Sequence, residues 1–283
     1  MNSGKIRPLI LALSILLCFQ AAAQRSRGLI NRSLLNNERL SLTAGLGLSS
    51  YYGDLCDKYE CLQFRPNLGI GAMLRMTNNI GIKADLNYFR LYSDDVWERR
   101  NLDFRSNNVE LIVAGYIQLN PYERYAHKRK PWNIYAYAGV GLLYFRPEGS
   151  LNGKWHALRQ LETEGVRYSP ITAVIPYGAA FSYTLNKNYD IMLEFGYRKT
   201  FTDRLDDVSS REWRMFEDFE NRTAAEISNK TGRGDDYWLK SGQYRGNPDR
   251  KDGYFMSQVK IRYTFISKKS YYKLRRAPMR KRF

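Results

Sequence analysis

Between Leu40 and Leu48 the chain reads Leu-Ser-Leu-Thr-Ala-Gly-Leu-Gly-Leu, apolar at every even position and small or polar at every odd one. Successive side chains of an extended chain point to opposite faces, so this period of two predicts a strand with one apolar face. The pattern returns seven times. Leu68–Met76 and Ile80–Tyr88 are read as a hairpin across Thr77-Asn78-Asn79, and Val109–Leu119 and Ile134–Leu142 as two further strands. Tyr177–Leu185 and Tyr189–Tyr197 make a second hairpin across Asn186-Lys187-Asn188, and Phe255–Phe265 is the eighth strand. The intervening connections alternate in length. Those at 52–66, 92–107, 146–172 and 202–254 are long, and those at 77–79, 121–132 and 186–188 are shorter. In the last long connection Ser209 and Glu212 stand at the spacing of a capping box. Trp213, Phe216 and Phe219 follow at helical spacing, and Gly232 closes the run, so a helix is expected there.

One face of all eight strands carries no charge, while the other carries Arg75, Lys83, Asp85, Glu110, Asp190, Glu194, Arg198, Lys260 and Arg262. A charge facing lipid near the bilayer midplane costs about 2 to 4 kcal/mol, whereas a barrel interior pairs it. Five basic and four acidic residues nearly balance, so the nine are expected to form an ion-pair network that plugs the lumen. Eight strands enclose little more than the volume of their own side chains. The fold class read from the pattern is all-β, an eight-stranded antiparallel transmembrane β-barrel with long external loops. A soluble barrel with an apolar interior would reverse the two faces. The alternation of long and short connections favours the membrane barrel, whose periplasmic turns are short and whose termini are then both periplasmic.

Export fits this reading. Lys5 and Arg7 precede an apolar run from Leu9 to Phe19 and Ala21-Ala22-Ala23, the order of a secretory signal cut after Ala23. The run is about eleven residues, short of the roughly twenty needed by a spanning helix. Cys18 lacks the small residue upstream that a lipidation cut requires. The expected organisation is a signal peptide at 1–23, a periplasmic segment at 24–39, the barrel at 40–266 and a basic periplasmic tail at 267–283. Of the cysteines, Cys56 and Cys61 remain, and so close a pair in an exported chain is expected to form a disulfide.

Charge then separates the two ends. The formal net charge is +17, or +15 without Lys5 and Arg7. The segment 24–39 carries +3, the turn 121–132 +3, Lys187 +1 and the residues after Ile266 +8, which accounts for all of the +15. The periplasmic rim is therefore expected to dock an acidic partner through Arg124, Lys128, Arg129 and Lys130 together with the tail basics Lys268, Lys269, Lys273, Arg275 and Arg276. The compartment excludes nucleic acid; lipid of the outer membrane surrounds the barrel.

Catalytic chemistry is not apparent. His127 and His156, the two histidines, both lie in connections, and pairing His156 with Asp206-Asp207 as a barrel protease has no further support. Gly45-Leu46-Gly47 sits inside a strand with no following helix, unlike a dinucleotide loop. No cofactor or metal site is expected.

Several short motifs carry a resemblance. Tyr51-Tyr-Gly-Asp-Leu55, Phe64-Arg-Pro66, Leu102-Asp-Phe-Arg-Ser106 with Glu110, Leu161-Glu-Thr-Glu-Gly165, Ile175-Pro-Tyr-Gly178, Leu193 through Asp203 and Leu205-Asp-Asp-Val208 occur in order at strand and loop junctions. Together they resemble the PorG family of outer-membrane barrels, over roughly Leu40 to Phe265. The resemblance implies a non-enzymatic component of the type IX secretion machinery, associated with a periplasmic ring of PorK and PorN, with no cofactor. The alternative is a stand-alone structural or adhesive outer-membrane barrel of OmpA or OmpX type.

Overall fold

The computed structural model describes residues 39–56, 61–95, 100–123, 130–231 and 245–265. The expected signal peptide, most of the 24–39 segment and the tail lie outside the described residues. Ten strands form one antiparallel sheet: β1 (Leu40–Tyr52), β2 (Arg65–Arg75), β3 (Ile80–Asp94), β4 (Asp103–Gln118), β5 (Trp132–Tyr144), β6 (Pro147–Leu151), β7 (Lys154–Ala157), β8 (Ile171–Thr184), β9 (Tyr189–Thr200) and β10 (Gly253–Thr264). Each of the eight long strands pairs with its sequence neighbours, and β1 pairs with β10 from Ser41–Thr264 to Tyr52–Gly253. The sheet is thus a closed eight-stranded antiparallel barrel. Closure removes the unpaired edges that lipid cannot hydrogen-bond.

The apolar face points outward. Leu42, Leu46, Leu68, Ile70, Ile82, Leu86, Leu111, Val113, Val140, Leu142, Phe181, Leu193, Val259 and Ile261 are all exposed. On β3 this belt runs from Ile80 to Tyr88, which at about 3.4 Å per residue and a tilt near 40° spans roughly 20 Å of membrane.

β3 and β4 outlast the belt at the loop end. They stay paired up to Asp94–Asp103, so the connection read from the sequence as 92–107 shrinks to 95–102 at the top of a protruding hairpin. The connection at 146–172 holds a small hairpin, β6–β7, joined to β4 at Arg105–Glu148, and the short helix α1 (Leu158–Leu161). The helix expected from Ser209 also needs correction. A 3-10 turn occupies Phe216–Asp218 and helix α2 covers Arg222–Ser228, capped by the Asn221 side chain accepting from Thr223 N–H. Ser209 caps nothing, because its hydroxyl and N–H donate to the Glu164 carboxylate 45 residues earlier. A long-range acceptor has displaced the local one.

Candidate functional site

The interior is layered, and the register gives the order from the terminus end upward. At the mouth, Arg262 Nε donates to Asp190 at 2.8 Å and its Nη1 to Tyr135 Oη at 2.8 Å. One layer up, Lys83 Nζ lies 2.7 Å from Glu194 and 3.0 Å from Asp85. Lys260 reaches the same two carboxylates at 3.1 and 3.4 Å. Two lysines and two carboxylates alternate around a closed square, each nearly inaccessible to solvent. Tyr137 lies beneath the Lys83 ammonium at 4.0 Å. The next layer centres on Glu110, which accepts from Asn87 at 2.9 Å and from the Tyr254 hydroxyl, and faces Arg198 Nε at 3.5 Å. Gln258 bridges Asn67 and Asn87. Glycines make the room: a Cβ at Gly71 would meet Asp85 Oδ1, and one at Gly196 would meet Tyr137 Oη and Arg198 Nη1.

Eight of the nine residues read as a lumenal network therefore share buried ion pairs, balanced four against four. The ninth, Arg75, lies at the mouth, where it stacks on Tyr122. The mouth itself is a cavity of about 100 Å³. Arg39, Arg75, Lys130, Lys187 and Arg262 line it against Glu123 and Asp190. Of the expected docking residues, Lys130 is placed on this rim. Arg124, Lys128, Arg129 and the tail residues Lys268, Lys269, Lys273, Arg275 and Arg276 lie outside the described residues.

The loop end is closed by a different chemistry. Tyr51, Leu55, Phe89, Leu91, Leu102, Phe104, Leu205, Val208 and Tyr254 form an apolar core above the polar layers. Cys56 belongs to it and is joined to Cys61, with their Cα atoms 5.5 Å apart. Set on this core are buried acids. Tyr51 Oη is 2.7 Å from both Asp206 Oδ2 and Asp252 Oδ1, and accepts from Asp54 N–H at 3.0 Å. A phenol has one hydrogen to donate, so the second carboxyl completes the arrangement only if it carries its own proton. Burial pushes Asp206 and Asp252 well above the usual carboxyl range, reinforced by their neighbouring acids. Asp203, 4% exposed and without a hydrogen-bond partner for either oxygen, is pushed up to about 8 by burial and by Asp54. Asp207, bonded by the Thr163 hydroxyl, is raised to about 6 by burial and Glu164. Glu164 is the exception: burial raises it, but Arg245 and the donors of Ser209 and Ser210 outweigh that and hold it low.

These roof acids were missed as a site by residue reasoning, because no local spacing unites them. Their one signal was that Tyr51, Asp54, Glu164, Asp203, Asp206 and Asp207 all lie in the motifs that carry the family resemblance. Among the described residues no group of three His, Cys, Asp or Glu is arranged to hold a metal ion. His156 lies on β7 opposite Gly149 and bonds to neither Asp206 nor Asp207. No described helix is long and apolar enough to cross a membrane.

Comparison with known proteins gives three findings. The outer membrane protein beta-barrel domain family matches residues 9–224, about three quarters of the chain. None of the curated proteins matches. Among solved structures, the chain is similar to Neisserial surface protein A at 11% identity, covering 80% of this chain and 97% of that one with a TM-score of 0.41. It is similar to Ail, the attachment invasion locus protein of Yersinia pestis, in complex with the heparin analogue sucrose octasulfate, at 13% identity, 80% and 98% coverage and a TM-score of 0.38. OprG from Pseudomonas aeruginosa is similar at 9% identity, 83% and 100% coverage and a TM-score of 0.38.

Proposed function

We propose, from the premise that the chain belongs to the outer membrane protein beta-barrel domain family, that it is a non-enzymatic barrel anchoring an acidic periplasmic partner to the outer membrane. In this reading both termini are periplasmic and the partner is a PorK/PorN-like ring of the type IX secretion machinery. One observation carries it. The terminus-end mouth is lined by five basic residues against two acidic ones, on the side where the basic turn and tail also attach. Barrel stability does not require this excess, since the buried pairs above it balance. A concave basic mouth attracts an acidic surface, raising the association rate and making it salt-sensitive.

The test is a chain ending after Ile266. It should still insert and shift on heating, but lose its periplasmic partners on affinity isolation from detergent-solubilised membranes, and the intact complex should weaken as salt rises. Unchanged partner recovery and unchanged salt response would sink the docking reading. Orientation is tested separately: a carboxy-terminal epitope should stay hidden in intact cells and become accessible once the outer membrane is permeabilised.

The second reading is a stand-alone structural or adhesive barrel of OmpA or OmpX type. It is favoured by the built loop end, where a disulfide, an added hairpin and an apolar core hold an ordered outer surface. Recovery of no periplasmic partner, with cell-surface ligand binding lost on changing that end, would decide for it.

A further inference from the structure

The outer face of the barrel changes character abruptly at the top of its apolar belt. Register aligns Leu86, Leu111 and Leu142 on β3, β4 and β5, then Tyr88, Val109 and Tyr144 one step higher. The following outward step carries Arg90 opposite Asn107, and the one after it Tyr92 opposite Arg105, itself opposite Glu148. Arg146 lies two residues past the end of β5, on the same outward parity as Tyr144. Three guanidinium groups thus stand beside one another just beyond the aromatic edge of the belt. Aromatic rings mark the membrane interface in such barrels, so these groups sit at headgroup level.

Each guanidinium is held from one side. Arg90 Nε donates to Asn107 Oδ1 at 2.9 Å, and Tyr88 Oη donates to the same oxygen at 3.2 Å. Arg105 Nε donates to Glu148 at 2.8 Å, with its guanidinium 4.3 Å from the Trp155 ring. Arg146 Nε is 3.9 Å from the other Glu148 oxygen, too long for a hydrogen bond. The contacts of all three run through Nε, leaving the terminal Nη groups without a hydrogen-bond partner among the described residues. The Arg105 and Arg146 side chains are 44% and 59% exposed. Arg105 and Arg146 share the single carboxylate of Glu148, while Arg90 is held by a neutral amide. Asp94, one step higher, is engaged by Tyr92 and Gln63, and Asp103 by Lys230.

We propose that Arg90, Arg105 and Arg146 form a binding site for the phosphate of a lipid headgroup in the leaflet at the loop end of the barrel. A planar fork fixed at Nε and free at Nη is the arrangement that grips phosphate oxygens in pairs. The stems of Tyr88, Tyr144 and Trp155 supply apolar surface beside it for the acyl chains and sugar or glycerol of the lipid. Nothing in strand pairing calls for arginine at these positions, and an interior partner is out of reach from an outward-facing side chain. That this leaflet is the external one rests on the orientation proposed above. The binding test reads the patch in detergent, where orientation plays no part, so the two fail separately.

The full chain in nonionic detergent is titrated with bisphosphorylated lipid A, with the same lipid dephosphorylated, and with inorganic phosphate, and bound lipid is counted by native mass spectrometry. The phosphorylated lipid should bind saturably, and dephosphorylation should weaken it more than tenfold. Arg90→Gln/Arg105→Gln/Arg146→Gln should weaken it as much, while the loop changes Arg167→Gln/Arg211→Gln/Arg222→Gln leave it within twofold. Arg146→Gln alone breaks a 3.9 Å ion pair and is safe for folding; it should weaken binding several-fold. Equal retention of the dephosphorylated lipid, or no effect of Arg146→Gln, overturns the site. Displacement of the lipid by millimolar inorganic phosphate would show a free-phosphate site and overturn the lipid assignment.

Discussion

The middle of the barrel and its roof bury charge-bearing side chains equally deeply, yet solve the problem in opposite ways. In the middle, Lys83 and Lys260 lie within 2.7 to 3.4 Å of Asp85 and Glu194, each cation set between two carboxylates. In the roof, Asp203, Asp206 and Asp252 are buried among other acids, and protons rather than cations relieve the repulsion. A proton-held cluster responds to pH near neutrality. The surface that closes the barrel thereby carries a pH response.

The largest expected effect comes from breaking the lattice. Glu194→Ala leaves two buried lysines with one carboxylate between them, and should destabilise the barrel by about 3 to 5 kcal/mol in urea titrations from lipid vesicles. Glu217→Ala, exposed on the 3-10 turn, should change it by less than about 0.5 kcal/mol. Equal small effects would show that the lattice is not the source of the wall's stability.

Next comes the disulfide. Cys56→Ala/Cys61→Ala reopens a short loop and should cost about 2 kcal/mol. The loss should appear as faster proteolysis near residues 52–66, with heat-modifiable migration of the barrel retained. Loss of that migration would mean the loop end helps to hold the wall.

The pH response is confined to the roof. The folded roof retains protons that the unfolded chain, with ordinary aspartates near 3.9, releases. Between about pH 4 and pH 8 the folded state binds more protons, so roof stability is complete below that window and is lost as pH rises through it. The slope is at most about 1.4 kcal/mol per pH unit for each such group. Amide protection factors at 203–208, corrected for the base-catalysed rise of intrinsic exchange, should fall from pH 5 to pH 9 while those in β9 and β10 stay constant. Glu164 acts oppositely, and its contribution disappears only in acid, below the usual carboxylate range. Protection factors at 203–208 that are equal or higher at pH 9 would refute the proton-held roof.

The smallest effect sharpens the contrast most. Asp252→Asn imitates the protonated carboxyl and gives Tyr51 a donor, so stability should change by less than about 1 kcal/mol while the pH slope flattens. Glu194→Gln, an equally conservative change in the lattice, should remain strongly destabilising. If the two amides behave alike, the roof and the wall do not differ in kind.

How much of this was legible in the chain depends on the range of the interaction. Strand existence, strand order, the inward face and the identity of eight lattice residues follow from a period of two, because each inward side chain of a strand is declared by its own neighbours. Arg75 kept the parity but sits at the mouth, stacked on Tyr122, since parity says nothing about height along the lumen. The helix at Ser209 failed for a related reason. A capping box is a local bargain between Ser209 and Glu212, and Glu164, brought over the barrel from another loop, offers Ser209 and Ser210 four hydrogen bonds instead.

What the sequence by itself determined is the wall: which residues face outward and which face inward. Only the tertiary structure decided the roof, the protruding β3–β4 hairpin, the added β6–β7 hairpin and the outward row of Arg90, Arg105 and Arg146. Each depends on residues from separate connections meeting at one height, and that height is set by barrel closure and strand stagger, quantities that no single segment of the chain contains.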